Sequence, residues 1–137
     1  MTEKTYCQRV REDYGDTIEQ FAQRMNTSPE TVAGWEDGQE MQEHAKALLE
    51  YAVNHPLTLH SRISDDFAKL SPREQIQLLM KNFGDTQKAF AQRIGVSEYN
   101  ISRWKRLNIL SPIAQRYIYE VAVYPERFNS TPKSYAE

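Results

Sequence analysis

The chain has 137 residues, a mass of 16.0 kDa and a formal net charge of −2, with 39% hydrophobic and 26% charged residues. That is room for one ordinary domain or two very small ones, with enough apolar material for a compact core. It excludes a disordered polyelectrolyte and a bilayer-spanning segment, and the polar start, Met1-Thr2-Glu3-Lys4, argues against a secretion signal.

The predicted elements are helical throughout. An opening helix covers about 5–13. A second carries DTIEQFAQR (16–24) and stops at Asn26, the residue after Gly best suited to a left-handed turn. A third starts at Ser28-Pro29-Glu30, and a fourth covers about 41–54 and ends before Pro56. Leu59, Ile63 and Phe67 then recur every four residues, the spacing of a helix able to pack on both flanking segments. Ser71-Pro72-Arg73-Glu74 combines a Ser N-cap, a Pro at the first helical position and a Glu at the third. The helix it opens runs to about Asn82, with Ile76, Leu79, Met80 and Phe83 on one face, and Gly84 ends it. Asp85 or Thr86 caps the next helix, about 86–93, with Ala89, Phe90 and Ile94 inward. Gly95 makes a tight turn, and Ser97 caps a helix over about 98–106 that buries Ile101 and Trp104. Ser111-Pro112 starts a last helix to about Val123, carrying Ile113, Tyr117, Ile118 and Val121, before Pro125 and a flexible tail from Asn129.

The chain repeats itself at an offset of 69. YGDTIEQFAQR (14–24) recurs as FGDTQKAFAQR (83–93). Without a gap, the same offset carries Ser28 onto Ser97, Trp35 onto Trp104, Ala45 onto Ala114 and Pro56 onto Pro125. The reading is an internal duplication: a first unit over 1–57, a connecting segment over 58–74, a second unit over 75–128 and a tail over 129–137. Charge divides unevenly. Residues 1–69 hold 7 Lys and Arg against 13 Asp and Glu, net −6; residues 70–137 hold 10 against 6, net +4.

Two short helices joined by a tight turn suggest a helix-turn-helix, which needs a small residue in the first helix, a Gly or its equivalent in the turn and apolar anchors in the second helix. Gln87, Ala91, Gly95, Val96, Ser97, Ile101 and Trp104 meet that pattern. TQKAFAQRIGVSEYNISRWKR (86–106) resembles the lambda-repressor-like (Cro/repressor, or XRE) helix-turn-helix family. The resemblance covers about 75–124 well, and about 6–57 more weakly through DTIEQFAQRMNTSPETVAGWEDG. It implies an all-α chain of two tandem bundles of about five helices each, with the third helix of each unit as the recognition helix in the major groove. In the second unit the base-reading residues would be Ser97, Glu98, Tyr99, Asn100 and Arg103. Arg is suited to guanine, Asn to adenine, Glu to the cytosine amino group, and Tyr to a thymine methyl or a phosphate. Gln87 matches the family position that holds a phosphate, and Lys105 and Arg106 at the far end of the helix would meet phosphates too.

The first unit departs from that pattern. Ile18 stands where Gln87 would be, and 28–38 carries Glu30, Glu36 and Asp37 with no Lys or Arg, whereas 97–107 is net +2. Carboxylates facing a phosphate backbone repel it. The unit is left for dimerisation, for a protein partner, or as a weak second reader through Thr27, Ser28 and Thr31. The implied function is a sequence-specific double-stranded-DNA-binding transcriptional repressor. It would act as a cytoplasmic, nucleoid-associated homodimer on a two-fold-symmetric operator. The rival is a helix-turn-helix scaffold acting as a protein-interaction adaptor.

Other residues take structural readings. Trp35 and Trp104 fall on apolar faces and belong to the core; Arg24 and Arg93 are candidates for structural ion pairs. Tyr117, Tyr119, Tyr124 and Phe128 are assigned to core and dimer packing. His44, His55 and His60 lack a metal-ligand spacing and are expected at the surface. Cys7, the single cysteine, rules out an internal disulfide, fits a reducing cytoplasm and is expected as a small core residue. No paired carboxylate, activated nucleophile or phosphate loop stands at a usable spacing, so no enzyme, cofactor or metal is expected.

Overall fold

In the computed structural model, residues 5–58 and 64–128 are described, and they are helical, with no strand among them. The connecting residues Leu59, His60 and Ile63 and the tail from Asn129 lie outside them. The chain divides into two compact units, 1–60 and 61–137.

The first unit contains α1 (Tyr6–Tyr14), α2 (Ile18–Met25), α3 (Pro29–Glu36) and α4 (Glu43–Asn54). The second contains α5 (Asp65–Ala68), α6 (Pro72–Phe83), α7 (Gln87–Ile94), α8 (Glu98–Leu107), α9 (Pro112–Val123) and a short 3-10 turn, Pro125–Phe128. Helix starts follow the capping signals. Thr17, Ser28, Ser71, Thr86, Ser97 and Ser111 each sit at an N-cap with extended backbone, and each side-chain oxygen accepts the N–H three residues on. Thr17–Gln20 and Ser71–Glu74 close reciprocal capping boxes. Glu74's carboxyl is held below its usual range, first by the backbone N–H of Ser71 and then by the Ser71 hydroxyl. Among the helix stops, Asn26 (φ 60°) and Gly95 (φ 76°) take the left-handed conformation that closes each helix-turn-helix-like corner.

Helices α2, α3 and α4 and their counterparts α7, α8 and α9 begin 69 residues apart. Matching residues also make matching bonds. In the first unit, Arg24 grips Asp16 through Nε (2.5 Å) and Nη2 (3.1 Å), and donates from Nη1 to the Leu57 carbonyl (2.6 Å). In the second, Arg93 grips Asp85 (2.6 and 3.0 Å) and donates to the Phe128 carbonyl (2.8 Å). Each guanidinium also covers a ring, Tyr14 at 5.0 Å and Phe83 at 4.4 Å. The carboxylate hydrogen bond raises the pKa of both arginines. Each clamp ties the turn before the second helix to the chain beyond the fourth, which closes the unit.

The first core gathers Val10, Phe21, Met25, Val32, Trp35, Leu48, Leu49 and Leu57; the second gathers Ile76, Leu79, Phe90, Ile94, Ile101, Trp104, Ile118 and Val121. Both tryptophans are therefore core residues. Cys7 is buried, and burial, with Glu36 nearby as the second cause, pushes its thiol pKa up to about 11. Tyr117 is buried and donates to the Ile94 carbonyl, with its ring edge-on to Phe128.

One feature differs from the sequence reading. His44, expected at the surface, is buried in the first turn of α4; its side chain falls on the same face as Ala45 and Leu48. The connecting segment's Phe67 is a core residue of the second unit. It lies edge-on to Tyr119, and the buried Gln75 side chain donates to its carbonyl at 3.0 Å.

Candidate nucleic-acid interface

The second unit presents its candidate site on α7 and α8, the two helices that meet at Gly95. Ala91, Ile94 and Val96 are buried at the corner, and Ile101 and Trp104 anchor α8 from below. A helix fixed along one face exposes the opposite one. That outward face carries Glu98, Tyr99, Ser102, Arg103 and Arg106, all exposed, with Tyr99 at 69%. Asn100 is half-buried. Ser97's hydroxyl oxygen accepts the Asn100 N–H at 3.2 Å, so that acceptor is committed to the cap. Of the five base-reading candidates, Glu98, Tyr99 and Arg103 thus stand fully out from the surface, and Ser97 and Asn100 lie lower at its edge.

The three phosphate candidates are brought to one end of the same surface. Lys105 Nζ donates to Gln87 Oε1 at 3.0 Å, joining the last turn of α8 to the first residue of α7. Because Gln87 accepts through Oε1, its Nε2 carries two donors at a helix N-terminus, where the helix dipole favours an anion. Arg106 is exposed next to Lys105, and Lys88, exposed beside Gln87, adds a cation that the sequence reading passed over.

A further residue reaches this surface from outside the helix pair. Arg73, in the first turn of α6, donates through Nε to the Lys105 carbonyl (2.7 Å) and through Nη2 to the Arg106 carbonyl (3.4 Å). Its backbone N–H donates to Asn108 Oδ1 (2.9 Å). No local pattern announces this contact, which spans 32–35 residues.

The equivalent surface of the first unit is chemically different. Gly34 stands where Arg103 does, with the Gln39 side chain folded against it, and Ile18 stands where Gln87 does. Of the weak-reader candidates, Thr27 is half-buried, while the Ser28 and Thr31 hydroxyls bond each other at 2.8 Å and Ser28 also accepts the Thr31 N–H. Glu36 occupies the place of Lys105, and Arg11 grips it through Nε (2.6 Å) and Nη2 (3.0 Å). That hydrogen bond, ahead of an opposing desolvation, raises the Arg11 pKa. The helix face therefore carries less negative charge than its sequence suggests, since Glu36 is matched and Glu30 and Asp37 remain. The unit as a whole stays acidic. With the Asp16–Arg24 and Glu36–Arg11 pairs set aside, residues 5–58 expose eight carboxylates against Arg9 and Lys46.

Among the described residues no group of three or more His, Cys, Asp or Glu is placed to hold a metal ion, and no helix is long and apolar enough to cross a membrane. No protein-family model, curated protein or solved structure matches the chain.

Proposed function

We propose that the protein is a sequence-specific double-stranded-DNA-binding transcriptional regulator, a repressor, built from two tandem helix-turn-helix bundles that arose by duplication. The observation that carries the reading is the second unit's outward α8 face. Glu98, Tyr99 and Arg103 stand clear of the core there, and the Gln87–Lys105 pair and Arg106 lie at one end. Arg103 and Asn100 supply bidentate chemistry for guanine and adenine, and Glu98 an acceptor for cytosine. Gln87, Lys105 and Arg106 supply phosphate contacts that set register. One such unit makes too few contacts for tight binding, so a homodimer reads a two-fold-symmetric operator with half-sites about one helical turn apart or a multiple of that. The protein then works in the cytoplasm, at the nucleoid.

The first unit supports a second role. Its exposed charge comes from eight carboxylates against two cations, and its α3 has Gly34 in place of Arg103. Both features disfavour a phosphate backbone and suit a basic protein partner.

The test is selection of random duplex DNA by the purified full chain at near-physiological salt. Enrichment of a symmetric motif supports the regulator with one unit per half-site. Two unlike half-sites in one sequence instead indicate that both units of one chain read DNA. Weak, salt-sensitive binding with no enriched motif refutes the reading and leaves the protein-adaptor role.

A further inference from the structure

We propose that Arg73 is a positioning residue for the reading helix: it holds the C-terminal end of α8 and so fixes the angle at which that helix is presented to DNA. The inference rests on the reading of α8 as the DNA-contacting helix and adds a residue outside the helix-turn-helix pair.

The last four carbonyls of an α-helix have no partner within the helix. In α8 the Trp104 carbonyl is satisfied by the Ile109 N–H at 3.3 Å and by the cap N–H of Asn108. The next two, of Lys105 and Arg106, accept from the Arg73 guanidinium. Arg73 also places a positive charge at the negative end of the α8 dipole. Asn108 completes the contact. It takes the left-handed conformation (φ 55°) that stops α8, and its Oδ1 accepts the Arg73 backbone N–H. Arg73 lies one residue after Pro72, and the Ser71–Glu74 capping box fixes that turn of α6. The clamp is thus anchored to a preorganised helix start.

Lys105 sits at the junction. Its carbonyl is held by Arg73 while its ammonium holds Gln87. Loosening Arg73 therefore frees the backbone of the last turn of α8, while the Lys105 ammonium can keep its bond to Gln87 and Arg73 itself need touch no base. A positioning role and a direct phosphate contact make opposite forecasts. A lost phosphate contact weakens all sequences alike and lowers the salt slope by about one. A lost positioning contact weakens the selected sequence more than random DNA and leaves the slope unchanged.

The experiment compares wild type, Arg73→Ala, Arg73→Lys and Asn108→Gly, the last keeping the left-handed turn but lacking the side-chain acceptor. The selected duplex and a random duplex are titrated at several salt concentrations. Amide hydrogen exchange of Lys105, Arg106 and Leu107 is followed without DNA. Arg73→Ala is expected to lose up to about 5-fold in affinity for the selected duplex, the most that an exposed helix-end charge contact of about 1 kcal/mol can supply. Random-duplex affinity and salt slope should hold, and exchange in the last turn of α8 should quicken. Arg73→Lys, which keeps the charge but replaces the planar two-nitrogen fork by a single nitrogen, and Asn108→Gly should fall between. A slope reduced by about one overturns the proposal in favour of a phosphate contact. Unchanged exchange and unchanged specificity in Arg73→Ala also overturn it. If wild type itself selects no sequence, the DNA reading fails and the positioning role falls with it, a result distinguishable because it appears before any substitution.

Discussion

Replacing Asp85 by Ala removes the carboxylate that Arg93 grips, and the structure sets the size of the effect. Two charge-assisted bonds of 2.6 and 3.0 Å are lost from side chains that are 8% (Asp85) and 15% (Arg93) exposed. An exposed ion pair is worth about 0–1 kcal/mol, whereas removing one partner of a fully buried pair costs about 3–5 kcal/mol. This pair lies towards the buried end. Arg93 nevertheless keeps its bond to the Phe128 carbonyl, its contact with the Phe83 ring and some access to water. A loss of about 2 kcal/mol is expected, which for a unit of this size lowers the melting midpoint by about 10 °C. The assay is thermal unfolding followed by tryptophan fluorescence in a Trp35→Phe background, so that the buried Trp104 alone reports the second unit. Arg93→Ala and the double substitution complete a cycle, with a coupling of about 1–2 kcal/mol between the two sites. A single-substitution loss below about 0.5 kcal/mol, or additive effects in the double, would refute the claim that this clamp closes the unit.

The same structure sets three further outcomes. Arg103→Ala should cost about 1–3 kcal/mol on the selected duplex and relax preference at one base pair, whereas Lys105→Ala should weaken all duplexes and lower the salt slope by about one; binding titrations on single-base variants separate the two. Gly34→Ala should stabilise the first unit by about 0.5 kcal/mol in urea unfolding, because Ala favours the helix and the exposed Gln39 side chain can swing away; a loss of stability would show that the Gln39 packing is the stronger term. Cys7, whose thiol pKa is raised to about 11 from 9.0, should resist thiol reagents in the folded protein and react on unfolding. Above pH 9 the unfolded thiol ionises while the folded one stays protonated, so stability should fall as pH rises from 9 towards 11, more steeply than in Cys7→Ala; identical pH profiles would remove Cys7 as the cause.

Most helix limits lie in the local sequence, because the interactions that start and stop a helix join residues three to five apart; α4, which begins at Glu43 rather than 41 and has no side-chain cap, is an exception. Ser28, Ser71, Thr86, Ser97 and Ser111 each reach an N–H within their own first turn. Asn26 and Gly95 close corners that few other residues accept. The 69-residue spacing and the outward placement of Glu98, Tyr99 and Arg103 were equally legible, since a helix buried along Ile101 and Trp104 has one free face. Which charges are paired follows from packing instead. Arg11 reaches Glu36 across 25 residues, Lys105 reaches Gln87 across 18, and Arg73 reaches the end of α8 across more than 30. Packing also buried His44 and joined Phe67 to Gln75 in the second core. Charge counts along a segment miss these pairs for a physical reason. An ion pair depends on distance in space, and the distance between residues on different helices is set by how the cores pack.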